Sequence, residues 1–211
     1  MIDYEFFQQW YMSGSIQQFR GNINKDNPLY QALNSSMTDE YMYYVLGTTN
    51  SEVEEYHRKM KEFGKRCKFV TKAQMDMINS DPEIRSWFNY CFDFVKDHLE
   101  YIYEHFVEAT SSPYIYRALF VRDKSQINTE LLGHSWTYSE EMAETWRYNK
   151  TGCTHKYIVK AVNDESNINW RSTVFHYAIW SHPMDDSGER EIKLKSNVKP
   201  EIISIRDYGH I

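Results

Sequence analysis

Apolar residues recur at helical spacing through the first half of the chain. Phe6, Phe7, Trp10 and Tyr11 form i, i+4 pairs on one face. A polar break from Asn22 to Pro28 follows, and Thr38 can cap a short helix ending near Gly47. Ser51-Glu52-Val53-Glu54 is a capping box, because Ser51 and Glu54 can each satisfy an open backbone donor of the first turn. Val53, Tyr56, Met60 and Phe63 continue that helix up to Gly64, a stop residue. Asp81-Pro82 is a strong start, with an acceptor at the cap and proline at the first helical position. Ile84, Phe88, Cys91, Val95, Leu99, Ile102 and Phe106 then mark one face of a single long helix, which Ser111-Ser112-Pro113 ends.

The texture changes after Pro113. Tyr114 to Val121, Lys156 to Val162, Thr173 to Trp180, Glu191 to Leu194 and Glu201 to Ile205 are short β-branched or aromatic runs and read as strands. One helix, about Ser139 to Tyr148, interrupts them. Helices first and strands afterwards predict an α+β fold. The chain is expected to be one domain over 1–211, with a helical N-terminal part over 1–112 and a strand-rich core over 113–211. The apolar face of the long helix must be covered, so that helix is expected to pack on the strand-rich half.

Length and composition fit one well-filled core: 211 residues, 41% apolar and 16% aromatic. A net charge of −6 argues against a general nucleic-acid coat or an anionic-membrane binder. Arg58, Lys59, Lys61, Lys65, Arg66, Lys68 and Lys72 form a basic stretch that reads as a solvated helix face, or as a patch steering an acidic protein or an RNA. Cys67, Cys91 and Cys153 are odd in number and far apart, which indicates no disulfide framework and favours a reducing compartment. The start Met1-Ile2-Asp3-Tyr4-Glu5 lacks a signal-peptide pattern. No apolar run approaches the ~20 residues of a membrane span, so a cytoplasmic protein without membrane contact is expected.

Candidate chemistry sits at the edges of the strand-like runs. Arg117 follows three strand-forming residues; it is either a paired surface charge or a planar clamp for phosphate oxygens. Ser135 and Thr137, two apart, point to one face of a strand. Glu189 and Glu191 share that spacing and can reach one ligand. His134, His155, His176, His182 and Cys153 match no ligand spacing, so no metal is expected. Gly-x-Gly-x-x-Gly and P-loop patterns are lacking.

Three stretches stand in a fixed order: Tyr116-Arg117-Ala118-Leu119; Ser135-Trp136-Thr137 running into Tyr138-Ser139-Glu140-Glu141-Met142-Ala143; and Glu189-Arg190-Glu191-Ile192. The set resembles the arginine-serine-glutamate class of mono-ADP-ribosyltransferases, in particular the arginine-modifying branch with its Glu-x-Glu turn. Size and layout are similar to the small phage enzymes of the Mod and Alt type and to bacterial toxins. The likeness covers about residues 114 to 206. Ala118 replaces the usual glycine, Trp136 and Thr137 replace a threonine and a second serine, and Lys195-Ser196-Asn197 stands where proline and glycine are common.

The resemblance implies two packed, mostly antiparallel sheets with an NAD cleft between them, behind a helical layer. It implies NAD as substrate and no metal. Arg117 would contact the NAD phosphates and Ser135 would support the catalytic glutamate, with Thr137 on the same face. Glu191 would stabilise the cationic ribose as nicotinamide leaves, largely by electrostatics. Glu189 would orient or deprotonate the acceptor. Phe175, with Trp170 and Tyr177, could stack on nicotinamide, although these rings read more simply as core. The implied activity is ADP-ribose transfer to an arginine of a target protein, in a host cytoplasm if phage-encoded. Transfer to RNA, NAD hydrolysis and a non-catalytic interaction protein are the alternatives.

Overall fold

The computed structural model describes residues 2–32, 72–147, 153–180, 190–196 and 198–210. The Thr38 helix, the Ser51 capping box, the basic residues from Arg58 to Lys68 and the acceptor-side Glu189 lie outside the described residues.

Helix α1 spans Tyr4–Met12 and starts where the Asp3 carboxylate accepts the Phe6 N–H at 2.7 Å. It buries Phe7 and Tyr11, while Phe6 remains 49% exposed. Short α2 (Gly14–Gln17) follows, and α3 (Lys72–Ser80) leads into α4 (Pro82–Asp97). Asp81 caps α4 as its sequence requires, accepting from the N–H groups of Glu83 (3.0 Å) and Ile84 (3.2 Å), with Pro82 at the first helical position.

The expected single long helix is two. At His98 the backbone turns to φ −123°, ψ 28°, and α5 resumes over Leu99–Ser111. The His98 N–H still reaches the carbonyls of Phe94 and Val95, and the Ile102 N–H reaches that of His98 at 3.0 Å, so hydrogen bonds persist on both sides of the bend. The apolar stripe stays buried across the bend, which explains why periodicity reads straight through it. The stripe is shared between two cores, and the division falls one turn beyond the bend. Ile84 through Ile102 fill an aromatic cluster with α1, whereas Phe106 and Ala109 pack on the sheet beside Ile115, Trp136, Val159 and Ile192.

Strands β1 (Tyr114–Val121), β2 (Ser135–Thr137), β3 (His155–Val162), β4 (Glu191–Lys193) and β5 (Ile202–His210) form one antiparallel sheet in the order β4-β2-β1-β3-β5. Mixed helix and strand with an antiparallel sheet is an α+β arrangement. Between β2 and β3, Ser139 accepts the Met142 N–H at 3.2 Å and caps α6 (Glu140–Thr145).

The run from Thr173 to Trp180, expected as a strand, lies instead in a helix, α7 (Trp170–Trp180). A continuous apolar run does not by itself distinguish a buried strand from a buried helix. Here local bonds and packing decide: Asn169 accepts the N–H of Ser172 through its side chain (3.2 Å) and that of Thr173 through its carbonyl (2.9 Å). Val174, Phe175, Tyr177 and Ala178 then enter the helical core. Helix α7 lies along the outer edge of β4. The Lys193 N–H donates to Thr173 Oγ1 (3.1 Å), the Asn169 N–H to the Lys193 carbonyl (2.8 Å), and the Tyr177 hydroxyl to the Glu191 carbonyl (3.3 Å). Two side chains of α7 and the backbone N–H just before it thus satisfy an edge that would otherwise offer unpaired backbone groups.

Candidate functional site

Two short strands join the site. In β2 and β4, Ser135 pairs with Lys193, Trp136 with Ile192 and Thr137 with Glu191. Because successive side chains alternate in a strand, Ser135, Thr137, Glu191 and Lys193 share one face, and Trp136 and Ile192 enter the sheet core on the other. Tyr116 of β1 pairs with Thr137 and extends the first row.

Glu191 is 5% exposed, His176 1% and Lys193 0%. The Lys193 ammonium forms an ion pair with Glu191 Oε1 and donates to Ser135 Oγ at 2.7 Å. His176 Nε2 of α7 stands 2.7 Å from Glu191 Oε2. Burial alone would push the Glu191 carboxyl up, but His176 and Lys193 outweigh it and hold the group well below the usual carboxylate range. The arrangement therefore keeps a negative charge inside the protein, beside a hydroxyl. Such a group can stabilise a neighbouring cation strongly, because little water screens it.

The approach to Glu191 is strained. Arg190 has φ 45°, in the left-handed region that non-glycine residues seldom occupy. Thr137 Oγ1 donates to the Arg190 carbonyl (3.0 Å) and accepts the Ser139 N–H (3.2 Å), and the Tyr138 N–H donates to the same carbonyl (3.2 Å). The end of β2 pins the residue between Glu189 and Glu191 in a conformation it would not choose alone. Strain of this kind clusters at functional sites.

The remaining expected residues fall elsewhere. Arg117 adjoins Tyr116 and pairs with Val159 of the sheet core, so it lies on the opposite face from Glu191. Its guanidinium Nη1 donates to the Ser135 carbonyl and thereby ties β1 to β2 behind the hydroxyl. Phe175 is 0% exposed within the helical core, its ring centroid 4.7 Å from that of Phe92 and 6.2 Å from that of Tyr11. The structure brings Ser135, Thr137 and Glu191 together, places Arg117 behind them, and leaves Phe175 in the packing.

Sequence reasoning missed Lys193 and set His176 aside. Glu191-x-Lys193 has the period-two spacing that puts both on one strand face, so this signal was available. The His176 contact was legible only once 170–180 is helical, since Thr173 and His176 then share a face by i, i+3 spacing.

Among the described residues, no group of three His, Cys, Asp or Glu side chains is placed to hold a metal ion, and no helix is long and apolar enough to cross a membrane. Comparison of the chain with protein-family models, with curated proteins and with solved structures finds no match.

Proposed function

We propose that this protein is an NAD-dependent mono-ADP-ribosyltransferase with Glu191 as the sugar-stabilising carboxylate and an arginine side chain of a target protein as acceptor. The observation that carries this reading is the pairing of β2 with β4. It joins Ser135 and Glu191, distant in sequence, on one face, with the carboxylate kept ionised in a buried setting. The bond from nicotinamide nitrogen to ribose C1 breaks, and nicotinamide leaves with the electron pair. Glu191 stabilises the cation left at C1. The acceptor guanidine nitrogen then attacks C1, and its proton passes to a base, the role assigned to Glu189. Arg117 orders β2 from the far face through the Ser135 carbonyl. The two-sheet split with an NAD cleft between the layers belongs to this proposal.

One observation favours a second reading. Both Glu191 oxygens face cations or potential cations, Lys193 and His176, and a neutralised carboxylate stabilises a developing cation poorly. A relative that keeps the architecture without turnover would look the same. Labelled NAD, incubated with purified protein and lysate and followed by protease or nuclease digestion, separates the two readings. The enzyme reading expects protease-sensitive label, and Glu191→Gln is expected to lower transfer by ~10²–10³ while NAD still binds. Near-normal transfer by Glu191→Gln removes Glu191 from the reaction; a wild-type protein that neither labels a target nor hydrolyses NAD supports the second reading.

A further inference from the structure

A separate cleft lies toward the opposite edge of the sheet from Glu191. A cleft of ≈ 610 Å³ opens where Phe120 of β1, Lys156 of β3, and Tyr208 and His210 of β5 meet Trp146 and Arg147 at the end of α6. That volume is in the range of small-molecule sites. Phe120 and Lys156 are cross-strand partners, which fixes an aromatic ring beside an ammonium.

Lys156 is unusual for a lysine. It is 3% exposed, and its ammonium donates to the Trp146 carbonyl at 2.7 Å and to the Glu144 carbonyl. It thereby caps the C-terminal end of α6. A six-residue helix could be capped by a solvated lysine at lower cost, because burial disfavours the charged form. Burial brings this lysine down to about 8, so it still carries its charge at neutral pH. Its ammonium also lies 5.0 Å from the Tyr208 ring centroid and 5.6 Å from that of Phe120. Among the charged side chains lining the cleft, the cations Lys156 and Arg147 outnumber the carboxylate Glu144, which also shares Arg206 with Glu140, so the lining is net cationic. Aromatic faces and unbalanced positive charge from four separate elements converge on one space.

We propose that this cleft binds a nucleotide phosphate, with the base against the rings of Tyr208 and Phe120 and the phosphate against Arg147 and Lys156. Base–aromatic stacking is sequence-tolerant and of useful strength, and a guanidinium matches phosphate oxygens at two points. A free nucleotide and the end of an RNA strand present the same chemistry. The proposal does not rest on the reading of Glu191, whose elements are β2 and β4.

Calorimetry with AMP, adenosine, inorganic phosphate and a four-nucleotide oligoadenylate tests it. AMP is expected to bind at least about tenfold more tightly than adenosine or phosphate, since each lacks one half of the recognition. Tyr208→Leu and Arg147→Ala change exposed side chains, and each is expected to weaken AMP binding about fivefold or more with an unchanged melting temperature. Oligoadenylate binding tighter than AMP identifies the source as RNA; weaker binding identifies a free nucleotide. AMP no tighter than its two halves, or both cleft variants binding AMP as the wild type does, overturns the proposal. The second outcome would also move AMP to another site, including one used for NAD.

Discussion

Lys193→Met tests the buried cluster directly. The side chain is 0% exposed, and its ammonium lies between Glu191 and Ser135. Methionine fills much the same volume but removes the charge and the donor. The Glu191 carboxylate, itself 5% exposed, would then face His176 alone. Removing one partner of a buried ion pair costs about 3–5 kcal/mol, because the other charge is stranded. His176 at 2.7 Å still faces Oε2, which puts the expectation near the lower end, about 3 kcal/mol. For a domain of this size that corresponds to a fall in Tm of about 6–12 °C. Adding Glu191→Gln removes the stranded charge and is expected to recover about 2 kcal/mol of the loss, a coupling that a double-mutant cycle reads directly. Urea unfolding of the four proteins, with m-values compared to check two-state behaviour, provides the measurement. The reasoning fails if Lys193→Met costs under about 1 kcal/mol or if Glu191→Gln gives no recovery in its background. NAD hydrolysis by the same proteins adds a functional reading: a clamp that merely neutralises Glu191 predicts a rise in hydrolysis once Lys193 is removed, and a positioning role predicts a fall.

Other expectations follow from single residues. Glu191 has its folded pKa depressed, so its stabilising contribution is present above the ordinary glutamate value, about 4.3, and is lost as pH falls through the lower folded value; chemical denaturation from pH 8 to pH 3 should show an acid loss that Glu191→Gln reduces. Arg190→Gly should relieve the positive φ and leave stability unchanged or raised by up to about 1 kcal/mol, while Arg190→Val should lower it, as read from Tm. Phe175→Ala opens a hole in the fully buried aromatic cluster and should cost about 3–5 kcal/mol in urea unfolding; a loss under about 1 kcal/mol would remove the ring from the core.

Much of the scaffold was legible because short-range chemistry decides it. Asp81-Pro82 specifies its helix start, and the alternating or β-branched runs after Pro113 specify β1 and β3 within a residue. The failures share a cause. The break at His98 and the helix at 170–180 are set by what the segments pack against, and periodicity does not report that. Candidate chemistry followed the same division. Ser135, Thr137 and Glu191 were legible as same-face pairs along their strands. The strand neighbours that join them depend on register, which turns and tertiary contacts fix. That register also separates Arg117 from Glu191, because one step along β1 reverses the face. A clamp such as Lys193–Glu191–His176 needs both strand phase and helix phase, and the apolar run at 170–180 does not carry the second.

The position of α7 links packing to chemistry. Phe175 and His176 are consecutive, yet the first anchors the helical core against Phe92 and the second meets the Glu191 carboxylate. Thr173 and Tyr177 on the same helix bond the backbone of β4. Displacement of α7 within the helical core therefore moves the carboxylate's partner and the edge of its strand together. Helices α4 and α5 contribute to this coupling, since residues from Ile84 to Ile102 pack in one cluster with α7 while Phe106 of α5 packs on the sheet. A buried charge tolerates little misplacement, because its stabilisation depends on close partners that replace lost water. The helical layer is thus the frame that holds the charge of Glu191 in place, and substitutions far from the carboxylate, at Phe92 or Phe175, should be felt there first.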